Sequence, residues 1–154
     1  SSFTSLNIWT PMGAQCSLTD KTLPEQRDAD SQMSAVAVVT GGNRGIGLEI
    51  ARGCLRSGFR VVIACRDEAR ASQAAEQLGC EWVQLDLDSE TSIVECAREV
   101  ERRYGKIDVL INNASMAYKH ADPTPWTVKT RTTMTTNFFG TLAVCQTLFP
   151  LIKD

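Results

Sequence analysis

The chain has 154 residues, 43% of them hydrophobic and 22% charged, with a formal net charge of −2. That size and composition fit one soluble globular domain with enough apolar side chains for a core, and they exclude a disordered or fibrous chain. The small net charge excludes a global basic field that would recruit nucleic acid or an anionic membrane, so any anion site has to be local.

Residues 1–34 are rich in Ser and Thr, carry Pro11, Gly13 and Pro24, and show neither a period of 2 nor one of 3.6. They are expected to form a disordered or non-native extension. A signal peptide needs a basic start and an apolar stretch, and a transit peptide avoids acids, whereas this segment has Asp20, Glu25, Asp28 and Asp30. Met33 stands directly ahead of the first regular segment, where a compact domain can begin.

From residue 35 the pattern becomes regular. Residues 35–40 (AVAVVT) are an apolar, β-branched run ending at a glycine cluster, which predicts a strand buried on both faces. Residues 45–57 space Ile46, Ile50 and Leu55 at helical intervals and close at Gly58. The unit repeats with a strand over 60–65 (RVVIAC) and an alanine-rich helix over 67–78 ending at Gly79. A third strand is predicted over 81–86. Asp88 or Ser89 can cap the helix after it, which runs to about residue 103 with Ile93, Ala97 and Val100 on one face. A fourth strand covers 106–112, and after a loop with Pro123 and Pro125 a helix is expected over about 130–152, weakened at its start by threonines. Strands alternating with helices at this spacing imply right-handed crossovers and a doubly wound parallel α/β sheet, Rossmann-like, over residues 35–154.

Six cysteines (Cys16, Cys54, Cys65, Cys80, Cys96, Cys145) are scattered without a Cys-x-x-Cys pair, and the single histidine, His120, has none close by, which argues against a zinc or other metal site. Five of the six fall in strand- or helix-like segments, pointing to reduced, mostly buried thiols in a cytoplasmic protein. No apolar run approaches the roughly 18 residues that span a bilayer.

The segment that carries chemistry is Thr40-Gly41-Gly42-Asn43-Arg44-Gly45-Ile46-Gly47, between the first strand and the first helix. Glycines there permit a tight turn, let backbone N–H groups approach a pyrophosphate, and allow the helix to pack close to the strand. In that position the loop predicts a dinucleotide site rather than a plain turn.

The spacing Gly-x-x-x-Gly-x-Gly resembles the signature of the short-chain dehydrogenase/reductase family, and Asn112-Asn113-Ala114 at the end of the fourth strand resembles that family's Asn-Asn-Ala-Gly motif. Residues 39–48 (VTGGNRGIGL), 84–86 (QLD), 121–125 (ADPTP) and 136–141 (TNFFGT) are similar to segments of its carbonyl reductase branch. The resemblance covers roughly residues 35–153. It implies an oxidoreductase that reduces aldehydes, ketones or quinones by hydride transfer from NADPH, monomeric in its full-length form and acting on a small-molecule carbonyl substrate.

The residues expected to hold the cofactor are Gly41, Asn43, Arg44, Gly45, Ile46, Gly47, Arg66, Arg70, Asp86, Leu87, Asn112 and Asn113. A 2′-phosphate needs cations at the end of the second strand, and Arg66, Arg70 and Arg44 supply planar guanidinium donors there. Asp67 beside them reads either as a ribose diol acceptor or as a helix cap. Asp86 matches the family residue that accepts from the adenine amine, or it caps the next helix. Asn137 matches the helix asparagine whose backbone holds a water in the family's proton relay, or it marks a local kink.

In that family a tyrosine donates the proton, a lysine lowers its pKa and a serine orients the oxygen. No Tyr-x-x-x-Lys occurs here: Tyr104 is followed four residues later by Asp108, and Tyr118 by Asp122. The chain is therefore expected to be a catalytically inactive partial sequence that stops after the fourth βα unit, the alternative being a non-catalytic nucleotide-binding or regulatory module. An open edge on the fourth strand and an uncovered apolar face at Phe138, Phe139, Leu142, Leu148 and Phe149 are expected with it. Ser115 replaces the family's last motif glycine, where a side chain would crowd the cofactor floor or strain a positive φ.

Overall fold

The computed structural model describes residues 35–152. The extension read at 1–34, with Cys16 and Met33, and the last two residues lie outside them. Strand β1 (Val36–Thr40) leads through α1 (Gly45–Arg56) to β2 (Arg60–Cys65), and α2 (Glu68–Leu78) leads to β3 (Glu81–Gln84). Helix α3 (Glu90–Tyr104) then carries the chain to β4 (Val109–Ile111). All pairings are parallel, in the order β3-β2-β1-β4, with Val38 opposite both Val62 and Leu110. The chain thus steps outward from β1 to β3, then crosses back to the other side of β1. This reversal leaves a crevice at the carboxyl ends of β1 and β4, where sheets of this kind take ligands.

Alternation along the strands explains the two-sided burial. Val36 and Val38 join Val62, Ala64, Ile93, Val100, Val144 and Leu148 in one core, while Val39, Val61, Ile63 and Cys65 pack with Ala51, Ala71 and Ala75 in the other. Helices α1 and α2 cover the second face, and α3 with the last helix covers the first. Ile93, Ala97 and Val100 lie on the buried side of α3, as their spacing predicts.

Four sequence expectations need correction. Strand β3 ends at Gln84, although Leu85 N–H still donates to Cys65 O at 3.0 Å, because Asp86 is turned away by its own bonds to Ser92 and Asp88. Strand β4 is confined to three residues. Ahead of it Ile107 forms a parallel bridge with Ile152, so the outer side of this strand's segment is partly paired.

The last helical segment is not one helix from residue 130. It begins with α4 (Trp126–Met134), widens into a π-helical turn (Thr135–Gly140), continues as α5 (Thr141–Leu148) and ends in a 3-10 turn (Phe149–Leu151). Its early start has a local cause: Pro125 is extended and its carbonyl accepts from Val128 and Lys129 N–H, both at 3.0 Å. Lys129 Nζ donates back to Asp122 O at 2.5 Å, and together these contacts outweigh the poor helix propensity of the threonines. Finally, Leu148 is fully buried against the α3 side of the sheet, whereas Phe138, Phe139, Leu142 and Phe149 are exposed as expected. No helix among the described residues is long and apolar enough to cross a membrane.

Candidate functional site: a dinucleotide groove

The groove is assembled around Thr40, the last residue of β1. Its buried hydroxyl donates to Ile111 O at 3.3 Å and accepts from Asn113 N–H at 3.0 Å and Ala114 N–H at 2.9 Å. One donor and two acceptors is the full capacity of a hydroxyl, so this side chain fastens the loop after β4 to the end of β1. Asn113 completes the joint by donating from Nδ2 to Thr40 O at 3.0 Å and Gly41 O at 3.3 Å.

Two glycines are required by this closeness. Gly41 has φ 67°, and a Cβ there would stand 2.9 Å from Ala114 Cα. A Cβ on Gly47 would overlap Gly41 O and Asn113 Nδ2. Any side chain at either position would fill the space that lets α1 begin against the strand ends.

The start of α1 differs from those of its neighbours. Helix α2 is capped by Asp67, whose side chain accepts from Arg70 N–H, and α3 by Ser89, which accepts from Ser92 N–H; each has a glutamate in its first turn. Helix α1 has neither. Its N-cap, Arg44, is extended and makes no side-chain cap, and no acid lies in the first turn. Its first N–H groups and the positive end of its dipole are left for an anion.

Around this helix end lies a groove of about 460 Å3. Gly41, Asn43, Arg44, Gly45, Ile46, Gly47, Arg66, Arg70, Asp86, Leu87 and Asn113, the residues assigned to the cofactor from sequence, all line it. Ile46, which helical spacing alone would place in the core, is 76% exposed and forms an apolar patch on the wall. Asn112 and Asn137 are not brought to the wall. Asn112 Nδ2 instead donates to Cys145 Sγ at 3.3 Å. Asn137 holds the backbone of Met116 from both sides, accepting from its N–H and donating to its carbonyl, each at 2.8 Å. The π-helical turn around Asn137 is the local departure from regular helix that its sequence allowed.

The structure shows Asp67 acting as a helix cap while it also lines the groove. Its Oδ1 caps α2 at 3.0 Å and its Oδ2 meets Arg70 Nε at 3.5 Å, so the cap reading holds and Arg70 is partly committed. Arg66 and Arg44 have no ion pair among the described residues and reach the rim exposed. Asp86 does not cap α3; its Oδ1 accepts from Asp88 N–H at 3.1 Å. Burial pushes the Cys65 thiol on the groove floor up to about 11, against the lowering effect of the Asn43 and Gly42 N–H groups, so it adds no negative charge near neutrality. Ser115 lies exposed at the rim.

Sequence reasoning missed Thr40 as a hub, and it missed Thr136, Met116 and Asp88, which also line the groove. Thr40 could have been found from its place at the end of a buried strand, where a hydroxyl needs partners. A larger trough of about 1070 Å3 between β3 and α3 is lined by Glu95, Arg98, Glu99, Arg102 and Arg103, whose charges are already paired with one another.

The short chain dehydrogenase family profile matches residues 35–154. The chain is 46% identical to carbonyl reductase [NADPH] 1 of Bos taurus over 129 residues, covering 80% of this chain and 47% of that protein. It is 49% identical to carbonyl reductase [NADPH] 1 of Homo sapiens over 124 residues, covering 77% and 45%. Among solved structures it resembles the Pseudomonas aeruginosa RhlG/NADP active-site complex, with TM-score 0.71, 31% identity, and coverage of 77% of this chain and 48% of that one. The F189W actinorhodin polyketide ketoreductase with NADPH gives TM-score 0.69 and 31% identity over 75% of this chain and 46% of that one. The chain spans about half the length of the curated relatives it matches. With the glycine loop, the uncapped helix and the Asn113 joint in one groove, and the profile matched from β1 onward, the chain belongs to the short chain dehydrogenase family.

Proposed function

We propose that this groove binds NADPH and that the chain is the cofactor-holding part of an oxidoreductase that reduces aldehydes, ketones or quinones. The observation that carries the reading is the pair Arg44 and Arg66, which have no ion pair among the described residues, beside a helix N-terminus without a side-chain cap. The pyrophosphate meets the first N–H groups of α1, and the two guanidiniums hold the 2′-phosphate through charge-assisted, bidentate bonds. Arg70 contributes less, since Asp67 engages it. Asp86 and Leu87 border the adenine, Asn113 supports the ribose end, and the Asn137 backbone serves the proton relay. The 2′-phosphate preference is supported further by Asp67, whose carboxylate is engaged by the α2 cap and by Arg70. Ser115, exposed at the rim, modulates affinity rather than blocking entry.

Bound NADPH supplies the hydride. The chain's own contribution is to hold and orient the cofactor, because no tyrosine of these 154 residues has a lysine four positions on. The catalytic serine, tyrosine and lysine are assigned to sequence beyond this stretch, and these residues alone bind without turning over. The full-length protein is assigned to the cytoplasm as a monomer, the compartment being supported by free thiols at Cys54, Cys65, Cys80, Cys96 and Cys145. Titration with NADPH and NADH, followed by nucleotide fluorescence alongside a carbonyl-reduction assay, tests the proposal. The expected result is preferential NADPH binding with no turnover. Turnover would overturn the assignment of the proton donor, and equal binding of both nucleotides would overturn the role of the arginines.

A further inference from the structure

The π-helical turn Thr135–Gly140 touches both flanks of the groove. On one side Asn137 clamps the backbone of Met116. On the other, the buried Thr136 hydroxyl donates to Asp88 Oδ1 at 2.6 Å, across 48 positions of sequence. Gly140, one turn on, lies so close to the same loop that a Cβ would stand 2.5 Å from Leu87 O. The loop holds itself in a hook: Asp86 N–H donates to Ser92 Oγ at 2.9 Å, and Asp88 N–H donates to Asp86 Oδ1 at 3.1 Å. Within that hook only the Asp88 carboxylate reaches the π-helical turn by a hydrogen bond.

A hydroxyl bonded to a carboxylate forms a short, charge-assisted contact, which fixes the position of the acceptor more firmly than packing does. Asp88 in turn sets its own N–H against Asp86, the acid that faces the groove beside Leu87. A regular α-helix would not be expected to widen here, and single π turns of this kind recur at functional sites.

We infer that Thr136 is a positioning residue for the adenine-side loop 85–88, acting through Asp88, so that one wide turn of helix sets both walls of the groove. The inference rests on the NADPH reading and extends it to two groove-lining residues that act by holding the loop in place.

The test is calorimetric titration of the full chain with NADPH and with adenosine 2′,5′-bisphosphate, which reports the adenine end alone. Thr136→Val keeps the shape and removes the donor, Thr136→Ser restores it, Asp88→Ala removes the acceptor and Asp88→Asn keeps an acceptor oxygen. Thr136→Val and Asp88→Ala are expected to weaken bisphosphate binding by about fivefold each, in line with the loss of one net hydrogen bond. Their double variant is expected to be no weaker than Asp88→Ala. Thr136→Ser and Asp88→Asn should stay within about twofold of the parent. A folded Thr136→Val that binds the bisphosphate as the parent does overturns the inference, and so does a Thr136→Ser as weak as Thr136→Val. Should Thr136→Val fail to fold, the contrast between Asp88→Ala and Asp88→Asn decides in the same way. A parent chain that binds neither ligand overturns the NADPH reading itself, a result distinct from a parent that binds while its variants do not differ.

Discussion

Arginines stand at both ends of the sheet, and their surroundings are opposite. At the amino ends of the strands, Arg60 meets Glu81 at 2.6 Å, while Arg102 and Arg103 hold Glu99 at 2.7 and 2.6 Å. Those hydrogen bonds hold the Glu99 carboxyl down to about 2. At the carboxyl ends, Arg44 and Arg66 have no acidic partner among the described residues, and the helix beside them has no cap. The same residue type thus neutralises charge at one end and offers it at the other. Paired surface charges contribute little to stability, whereas charges without an acidic partner beside a groove remain open to an anion.

The largest expected effect lies at the open end. Replacing Arg44 and Arg66 together with alanine is expected to weaken NADPH binding by about a hundredfold, the loss of two contacts to a charged group. NADH, lacking the 2′-phosphate, should change by less than about threefold. Fluorescence titration of both nucleotides checks the difference. Arg60→Ala at the closed end supplies the contrast: NADPH affinity should be unchanged and stability should shift by less than about 1 kcal/mol. If Arg60→Ala weakened NADPH as strongly as the groove variant, the distinction between the two ends would collapse into a general effect of net charge.

Hydroxyls sharpen the same comparison. Thr40 at the open end uses its whole hydrogen-bonding capacity, whereas the buried Tyr104 hydroxyl at the closed end makes no hydrogen bond of regular geometry among the described residues and only lies near the Glu81 and Arg103 side chains. Thr40→Val keeps the volume but leaves two backbone N–H groups without their acceptor, and a loss of about 2 kcal/mol is expected in urea unfolding. A loss under about 0.5 kcal/mol would show that the loop after β4 is held by Asn113 alone.

How much of this was readable in advance follows from the range of each interaction. The βαβ alternation and the glycine loop are local, written in runs such as residues 60–65 and in the spacing of Gly41, Gly45 and Gly47, so pattern alone locates the groove and most of its wall. Ile46 is placed at the groove by the glycine motif and not by its helical spacing, because periodicity states that a face exists without stating what it faces. Leu148 misleads, being expected on the uncovered face and found buried. The π-helical turn leaves no periodic trace in residues 135–140, and the links that explain it, Thr136 to Asp88 and Asn137 to Met116, join residues 48 and 21 positions apart. Asn112 and Asn113 are adjacent and chemically identical, yet one turns to Cys145 and the other to Thr40. Only the strand's alternation, once its register is known, separates them.

The smallest expected effect concerns the closed end at high pH. Burial, and then the neighbouring Glu81 carboxylate, pushes the Tyr104 phenol up to about 12, and burial pushes the Cys96 thiol up to about 12 as well. A group whose folded pKa is raised adds stability that is fully present below its unfolded pKa and is lost as pH rises through the folded value. Ordinary thiols and phenols titrate near 8.5 and 10, so the urea midpoint should hold to about pH 9 and then fall toward pH 12. Tyr104→Phe deletes this hydroxyl, which stands beside Glu81, together with its share of that titration. At pH 7 the change should stay within about 1 kcal/mol, since this hydroxyl has no regular hydrogen bond to lose. Above about pH 10 the variant should lose stability less steeply than the parent, the remaining slope belonging to the thiols. A Tyr104→Phe chain clearly less stable than the parent at pH 7 would mean that the hydroxyl is bonded in solution, and the closed end would then be as fully satisfied as Thr40 makes the open one.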